Sequence, residues 1–342
     1  MSEEGERPKR RKRYSGKNPR RFEDKYKELN PTKYGETVAK VLSSGKTPAG
    51  SHVPIMMEEC LTALVLGRGM IGVDATLGFG GHALGILKRI CPGGKLLGLD
   101  VDPVEQPKTE ARIWGLGYDA ESFEAIASNY AGIRKAISER DIDAVDFVFA
   151  DLGCSSMQYD DPSRGFSFKT NGPLDMRMNP KRGLSAREWL LRMKEEKLER
   201  VLSGNSDEPH SAVLANALAG NDFQDTLGLA NAVKSALGGM GDEVIELSIR
   251  RVFQAIRIEV NDEFAALDAF LRVLPDCLKS GGRAAILTFH SGEDRRVKKA
   301  FQAFRRNGVF AETSDGVVTA GDDERRLNPR SRPAKLRWAI KA

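Results

Sequence analysis

Short apolar runs alternate with stretches of helical spacing over most of this sequence, and the alternation limits the folds that the chain can adopt. The apolar runs predict buried strands, and the stretches between them, such as residues 82–90 and 123–139, carry apolar side chains at helical intervals. The predicted strands are residues 70–75, 95–100, a short one near 117–121, 144–151, 283–290 and a final one at 335–340. Such alternation is typical of an α/β fold with a parallel sheet covered by helices.

The alternation stops after Asp151, and about a hundred residues pass before the next buried strand pattern. A connection of this length must contain structure of its own. Ser185, followed three residues later by Glu188, is a capping box that predicts a helix start. A loop rich in Gly, Pro and Asp at residues 153–183 precedes helical patterns at 185–202, 211–218, 226–237 and 242–258. The sequence therefore predicts a sheet domain from residues 46–152 and 250–342, with a loop and an all-helical domain inserted at 153–249.

An N-terminal arm, residues 1–45, differs in composition from the rest and is predicted to be disordered apart from a short helix near residues 34–42. Nine of the fifteen residues from Arg7 to Arg21 are basic and none is acidic, whereas the whole chain has a net charge of only +5. A basic arm on a nearly neutral body suits a nucleic acid partner, because each phosphate contact releases counterions. A solubilising tail and a localisation signal are the alternatives.

The sequence contains no apolar run of the roughly 18 residues that a membrane span needs, and no apolar stretch follows Met1. We therefore expect a cytoplasmic protein without a membrane partner. The four cysteines are single and lack the spacing of a zinc site, so no metal site is predicted. The oligomeric state is not fixed by the sequence, and a homodimer stays open.

A glycine-rich turn joins the first predicted strand to the next helix, and Gly78, Gly80 and Ala83 match the pattern G-x-G-x-x-A. Glycines let the backbone bend sharply and let a ligand approach it closely. Asp100 ends the second strand, where its carboxylate can accept hydrogen bonds from the ribose of an adenosine. NAD and S-adenosylmethionine both contain that ribose, so these residues alone leave both cofactors open.

The fourth predicted strand ends at Asp151, which brings another acid to the same edge of the sheet. A nicotinamide site would need a hydride-handling residue there, and none stands out. The following loop mixes hydroxyl, amide, guanidinium and aromatic side chains, which can stack an extruded base and hydrogen-bond its edges. The candidate residues are Ser155, Ser156, Arg164, Phe166, Phe168, Asp175 and Arg177. Alternatively, the aromatic residues of this loop anchor it to the body.

His290 ends the strand predicted at residues 283–290 and therefore lies at the same edge of the sheet. It is a candidate substrate contact or general acid and base, and the alternative is a histidine that only holds a loop.

From about His52 to its end, the sequence resembles the bacterial 16S ribosomal RNA cytosine-N4 methyltransferase family, of the RsmH or MraW type. The segments that carry the resemblance are residues 52–54, 79–82, 100–103, 151–156, 164–168, 172–178, 253–258, 289–291 and 328–330. The chain departs from the family pattern in its longer, more basic arm and at residues 205–219.

The resemblance implies a class I methyltransferase fold, a Rossmann-like sheet with a helical domain inserted after the fourth strand. It implies S-adenosylmethionine as the cofactor and the N4 amine of a cytidine in small-subunit ribosomal RNA as the target. The cofactor residues that it implies are Gly80, Gly81, His82, Asp100, Phe123 (placed after the third strand), Asp151 and Gln158. Our hypothesis for the chemistry is that Asp151 accepts a hydrogen bond from the amine while Ser155 and Ser156 position the base.

Four alternatives to this function stay open at the level of sequence. A dehydrogenase would bind NAD, and a non-catalytic ribosome-assembly factor would bind RNA without releasing S-adenosylhomocysteine. A related methyltransferase could act on a different RNA base. An amino-methyltransferase of DNA usually carries a Pro-Pro-aromatic tetrad after the fourth strand, where this chain has residues 151–154, Asp-Leu-Gly-Cys.

Overall fold

The computed structural model describes residues 54–342, so the predicted arm and the predicted helix at residues 34–42 lie outside the described residues. Within this range the chain forms one mixed sheet. Its strands are β1 Ile71–Asp74, β2 Lys95–Asp100, β3 Phe123–Ala127, β4 Val145–Asp151, β5 Leu278–Thr288, β6 Phe310–Thr313, β7 Val318–Thr319 and β8 Lys335–Lys341. The spatial order is β3-β2-β1-β4-β5-β8-β6, and β7 also pairs with β8.

The first five strands of the sheet are parallel, and β8 runs antiparallel to β5, β6 and β7. The strand order reverses between β1 and β4, which is the switch point of a doubly wound, Rossmann-like sheet. This confirms the α/β class predicted from the sequence. Ligands of such sheets bind outside the carboxyl ends of the strands at the switch point, so the ends of β1, β2 and β4 define the candidate site.

Thirteen helices accompany the sheet in the described part of the chain. They are α1 Met57–Leu64, α2 Gly81–Ile90, α3 Gln106–Gly115, α4 Ile133–Ser138, α5 Ser156–Asp160, α6 Ala186–Leu191, α7 Glu195–Ser206, α8 Ser211–Leu218, α9 Thr226–Ala236, α10 Asp242–Val260, α11 Glu263–Cys277, α12 Ser291–Arg306 and α13 Asp322–Leu327. Short 3-10 turns occupy Tyr130–Gly132, Pro162–Arg164 and Pro329–Ser331. None of the helices in residues 54–342 is long and apolar enough to cross a membrane.

Two hydrophobic cores cover the two faces of the sheet. Alternate residues of β4 point to opposite faces, so Phe147 and Phe149 join one core while Val148 and Ala150 join the other. The first core includes residues of α1, α2 and α3, and the second includes residues of α4, α11 and α12. Because both faces are covered, the central strands β1, β2 and β4 are mostly apolar rather than regular polar-apolar alternations.

A third core lies in the segment that follows β4. It gathers buried side chains of α6, α7, α8, α9 and α10 around residues such as Trp189, Leu214 and Phe253. The capping box at Ser185 and Glu188 is present, which confirms the predicted helix start. The predicted helix at residues 185–202 is two helices, because the chain turns between α6 and α7. Helix α10 continues through residue 250, the predicted start of the returning sheet domain, to Val260.

Two local predictions around the third strand are wrong. Residues 117–121 form no strand, and residues 123–139 are not one helix, since β3 occupies Phe123–Ala127 and α4 begins at Ile133. The parallel register with β2 selects this strand, pairing Leu96 with Phe123 and Asp100 with Ala127. Strand β5 also begins earlier than predicted, and β6 and β7 were not predicted.

Candidate active site

The glycine-rich turn between β1 and α2 is tied to the end of β2. The Gly78 N–H donates to Asp100 Oδ2 at 2.7 Å, and the Leu77 N–H donates to the Leu99 carbonyl at 2.8 Å. Gly78 and Gly80 have φ angles of 47° and 74°, a region that glycine adopts with little strain. The turn is therefore fixed in shape by the strand beside it.

Gly80 and Gly81 are required by contacts within the protein. A Cβ on Gly80 would lie 2.9 Å from Thr109 Cγ2 in α3, and a Cβ on Gly81 would lie 2.5 Å from Pro54 Cγ. Neither distance is compatible with a side chain. A Cβ on Gly78 would meet nothing closer than a backbone oxygen at 3.8 Å, so Gly78 is the glycine of this turn with space beside it. Contact of Gly80 and Gly81 with a cofactor stays a prediction.

Three carboxylates lie at the ends of β1, β2 and β4, namely Asp74, Asp100 and Asp151, and we call them the edge acids. Burial, followed by the nearby Asp100 carboxylate, raises the pKa of Asp74 to about 7. Burial raises the pKa of Asp100 to about 6. It raises the pKa of Asp151 to about 8, and the Asp74 and Glu293 carboxylates add to this rise. Within residues 54–342 no lysine or arginine forms an ion pair with an edge acid.

Backbone groups and a threonine hold the edge acids together. Asp74 Oδ1 accepts from the Thr76 N–H at 3.1 Å, and the Asp151 N–H donates to Thr76 Oγ1 at 2.6 Å. Asp100 Oδ1 accepts from the Asp102 N–H at 2.8 Å. Thr76 thus links the ends of β1 and β4, a role that the sequence analysis missed because Thr76 carries no motif of its own.

His82, at the start of α2, packs beside Asp151. Its Nε2 lies 3.0 Å from the Ile55 carbonyl oxygen, and its Nδ1 lies 3.6 Å from Asp151 Oδ2. The ring is 4.6 Å from the ring of Phe149, and burial lowers the pKa of His82 to about 4. The side chain of Asp151 is 30% exposed, while its Oδ1 is enclosed and has no hydrogen-bond partner in the described part of the chain.

Gln158 and Arg164 both bind Asp102, which follows β2. Gln158 Nε2 donates to Asp102 Oδ2 at 3.0 Å, and Arg164 Nη1 donates to the same oxygen at 2.9 Å. Arg164 Nη2 donates further to the carbonyls of Arg177 and Met178. The structure therefore uses Arg164 to tie the loop after β4 to the end of β2. Its predicted contact with substrate and that of Gln158 with cofactor stay predictions, but both side chains already have partners in the protein.

Ser155 and Ser156 begin α5, directly after β4. The Ser155 hydroxyl accepts from the Gln158 N–H at 3.2 Å, and Gln158 Oε1 accepts from the Ser155 N–H at 3.0 Å. This reciprocal pair is a capping box that satisfies the first turn of α5. Both serines are partly exposed on the loop that leaves Asp151.

The aromatic and charged residues of the same loop divide into buried and partly exposed ones. Phe166 is 4% exposed and belongs to the core of the helical segment, and Phe168 packs edge-on against Phe253 with ring centroids 5.3 Å apart. Asp175 and Arg177 form a bidentate pair, with nitrogen to oxygen distances of 2.8 and 2.7 Å. Phe166 therefore anchors the loop to the protein, which is one of the two alternatives that the sequence left open for the aromatic residues of the loop.

His290 caps the first turn of α12. Its Nδ1 accepts from the Glu293 N–H at 3.4 Å, its Nε2 lies 3.2 Å from Glu293 Oε1, and its ring lies 5.7 Å from that of Phe264. Its location after β5 agrees with the prediction. The observed contacts are those of a residue that holds a loop, and contact with a substrate stays a prediction.

The predicted position of Phe123, after the third strand, is wrong. Phe123 is the first residue of β3 and is fully buried, opposite Leu96 near the start of β2. Four residues of strand, roughly 13 Å, separate it from the carboxyl edge. Ser128 and Asn129 follow β3 instead, and the Ser128 N–H donates to the Asp100 carbonyl at 3.0 Å. A correct prediction of where the third strand ends would have identified Ser128 and Asn129 as the residues at the carboxyl edge.

A buried ion pair between α10 and α11 supports the loop after β4. Arg257 in α10 binds Glu263 through two hydrogen bonds of 2.8 and 2.9 Å, and its Nη1 donates to Tyr159 Oη at 2.7 Å. Asn261 accepts from the Met178 N–H at 2.7 Å and donates to the Met176 carbonyl at 2.8 Å. Of these residues, Arg257, Met176 and Met178 lie in segments that carry the family resemblance, and the pairing of all of them depends on tertiary structure.

The family model described as the MraW methylase family matches residues 49–342. The chain is 46% identical over 343 residues to "Ribosomal RNA small subunit methyltransferase H 1" of Lachnoclostridium phytofermentans, covering 98% of this chain and 93% of that protein. It is 46% identical over 351 residues to a protein named "Ribosomal RNA small subunit methyltransferase H 2" of Alkaliphilus metalliredigens, covering all of both. A relative from Acidobacterium capsulatum, named "Ribosomal RNA small subunit methyltransferase H", is 36% identical over 292 residues, covering 85% of this chain and 98% of that protein.

Proposed function

The chain belongs to the MraW methylase family, and from this premise we propose that it transfers a methyl group from its cofactor, S-adenosylmethionine, to the N4 amine of a cytidine in small-subunit (16S) ribosomal RNA. The names of the relatives support the RNA part, since each is called a ribosomal RNA small subunit methyltransferase. The observation that carries the chemistry is the carboxylate of Asp151, which ends β4 partly exposed and keeps one oxygen without a partner in residues 54–342.

The edge acids fit a cationic cofactor. A sulfonium carries a positive charge, and these acids lack a lysine or arginine in ion-pair contact within the described range. A nearby cation favours the charged form of a carboxyl group and so offsets its desolvation. Gly78 leaves space at the turn, and Asp100 lies next to it. We propose that Asp100 holds the ribose, that Gly80, Gly81 and His82 line the cofactor, and that Gln158 contributes through Asp102. When bound, the cofactor supplies an electrophilic methyl group.

The chain's own residues must orient the nucleophile. The exocyclic amine of cytosine is a poor nucleophile, because its lone pair is delocalised into the ring. A carboxylate that accepts one amine hydrogen fixes the nitrogen in place and can take up its proton late in the reaction. We propose Asp151 for this role. We propose that the hydroxyls of Ser155 and Ser156, which follow Asp151 within five residues, bind the edge of the base.

We propose that the segment at residues 153–249 and the basic arm hold the RNA. We propose further that residues 46–152 and 250–342 together form the sheet domain. Lys169, Lys181 and Arg182 are exposed on the loop after β4 and form no ion pair in the described part of the chain. Exposed cations can bind phosphates without reading a sequence. We propose that the enzyme acts in the cytoplasm on 16S RNA, either free or within small ribosomal subunits.

The test combines nucleoside mass spectrometry with purified enzyme. Incubation of unmodified small subunits, and separately of free 16S RNA, with S-adenosylmethionine should yield N4-methylcytidine and S-adenosylhomocysteine in equal amounts. Asp151→Asn should lose about 100-fold or more in turnover. Asp268→Asn, an acid-to-amide change at a half-exposed position on α11, is the matched control and should keep the wild-type rate.

Each alternative predicts a different result. Methylation of another base would replace the cytidine assignment, and RNA binding without S-adenosylhomocysteine would indicate an assembly factor. Full turnover by Asp151→Asn would remove Asp151 from the proposed chemistry.

A further inference from the structure

The ring of His82 has both of its nitrogens in defined surroundings. Nε2 lies 3.0 Å from the Ile55 carbonyl oxygen, and Nδ1 faces Asp151 Oδ2 at 3.6 Å. Phe149 packs against the ring at 4.6 Å, and His82 is 7% exposed. The ring therefore cannot turn freely, and each nitrogen keeps one neighbour.

The Ile55 contact determines where the ring hydrogen lies. A carbonyl oxygen only accepts hydrogen bonds, so Nε2 must donate. Burial lowers the pKa of His82 to about 4, so at neutral pH the ring carries a single hydrogen. Nδ1 consequently presents a lone pair to Asp151. An ionised carboxylate at this place would bring two acceptors face to face, which is unfavourable unless one of them carries a proton.

The charges around Asp151 favour a proton on its carboxyl group. Asp74 and Glu293 are the carboxylates that face it, and the buried thiol of Cys60, whose pKa is raised by burial and by Asp151, is neutral. Within residues 54–342, His82 is the titratable base within 4 Å of the Asp151 carboxyl group. The separation of 3.6 Å is longer than a hydrogen bond, and a movement of roughly 0.6 Å would close it.

We propose that in the ligand-free protein one proton is held between Asp151 Oδ2 and His82 Nδ1, and that the bound cationic cofactor displaces this proton to solvent. The ionised carboxyl group can then take up the proton that the substrate amine releases, which restores the contact with His82 and makes His82 a positioning residue for this carboxyl group. The first half of this proposal concerns the ligand-free protein and is independent of the substrate. The second half rests on the proposed function. The Ile55 carbonyl oxygen keeps the ring hydrogen of His82 on Nε2. Nδ1 therefore presents its lone pair to Asp151 and orients the Asp151 carboxyl group.

The first experiment needs no ligand and no activity. The full chain contains four histidines, so nitrogen-15 labelled histidine gives few signals to assign by NMR. At pH 7 we expect His82 to be protonated at Nε2 and unprotonated at Nδ1, with a Nδ1 shift typical of a nitrogen that accepts a hydrogen bond. Asp151→Ala should return Nδ1 to the shift of a free acceptor, and Asp268→Ala should not. A wild-type His82 that is protonated at Nδ1, or a Nδ1 shift typical of a free acceptor, would overturn the proposal without any variant.

The second experiment separates the two nitrogens by substitution. The amide of asparagine can occupy the position of Nδ1, whereas that of glutamine reaches the position of Nε2. His82→Gln should therefore keep the Ile55 contact and lose about 10- to 100-fold in the single-turnover rate at saturating S-adenosylmethionine. His82→Asn should recover most of that rate and instead weaken packing against Ile55.

The outcomes distinguish this inference from the proposed function. Equal loss in both variants, confined to the affinity for S-adenosylmethionine, would make His82 a cofactor contact alone. A wild-type enzyme that methylates no RNA would contradict the proposed function, while the NMR result would still decide where the proton lies.

Discussion

Two groups of acids differ in what surrounds them. The edge acids have no lysine or arginine in ion-pair contact in the described chain, and burial raises the pKa of each. A second group of three acids is bound by arginines of the loop after β4 and of α10, and we call them the paired acids. They are Asp102 with Arg164, Asp175 with Arg177, and Glu263 with Arg257.

The difference separates scaffold from binding site. A buried ion pair with two hydrogen bonds keeps both groups charged and fixes the segments that carry them. The paired acids therefore hold the loop after β4 in shape. Carboxylates buried without a cation are costly when ionised, and they keep protons that an incoming cation can displace. Unpaired acids gathered at a strand edge thus indicate where a charged ligand completes the site.

The largest effect should come from breaking the ion pair in which the acid and the base are both less than 10% exposed. Arg257 and Glu263 are 7% and 8% exposed, so Arg257→Met leaves an uncompensated carboxylate in the interior. We expect a loss of about 3–5 kcal/mol in the free energy of unfolding, measured by urea titration. Arg250→Met is the matched control on the same helix, because its pair with Glu246 is about 60% exposed, and it should cost less than about 0.5 kcal/mol. Similar losses in both variants would remove the distinction between buried and exposed pairs.

The raised pKa values of the edge acids should make the free energy of unfolding depend on pH. The native pKa of Asp74 is about 7 against 3.8 for the free group, so between these values the native state binds more protons than the unfolded state. The free energy of unfolding therefore falls as pH rises through this window, and Asp151, with a native pKa of about 8, acts in the same direction. His82 acts oppositely between about pH 4 and 6.5, because its native pKa is lowered.

Asp74→Asn removes the contribution of Asp74 to this pH dependence, while the amide oxygen of asparagine can still accept from the Thr76 N–H. Between pH 5 and pH 8 the variant should lose about 1–3 kcal/mol less unfolding free energy than wild type does. Asp268→Asn should follow the wild-type curve. If Asp74→Asn changed stability equally at both pH values, Asp74 would not be carrying an extra proton in the native state.

Much of the sheet could be predicted from the sequence because its central strands are buried on both faces. Strands β2 and β4 were predicted to within a residue, since buried apolar runs such as residues 147–150 are typical of central strands. Helix α8 was predicted with its observed bounds. Strand β3 was not, because it lies at the edge of the sheet, where residues 124–126 are only half-buried and the run resembles the start of a helix.

The meeting of Asp100 and Asp151 at one edge of the sheet could be predicted from the sequence, whereas the role of Asp74 and the contacts between side chains could not. Asp100 and Asp151 follow apolar strands directly, so their meeting at one edge follows from topology alone. The pairing of Arg164 with Asp102 joins residues 62 positions apart, and no local pattern indicates it. The same holds for His82 and Asp151. For this reason, residues that look available in the sequence, such as Arg164 and Phe166, are engaged within the protein.

The smallest effect should come from His290, which caps the start of α12. If its ring acts as a helix cap, His290→Ala should cost about 1 kcal/mol in unfolding free energy, whereas His290→Asn should restore most of it, because asparagine is a good cap. KM for the RNA substrate should be unchanged in both variants. A rise in KM shared by both, with the cap restored in His290→Asn, would instead assign the ring to the substrate. Two variants of one residue thus separate holding a helix from binding RNA.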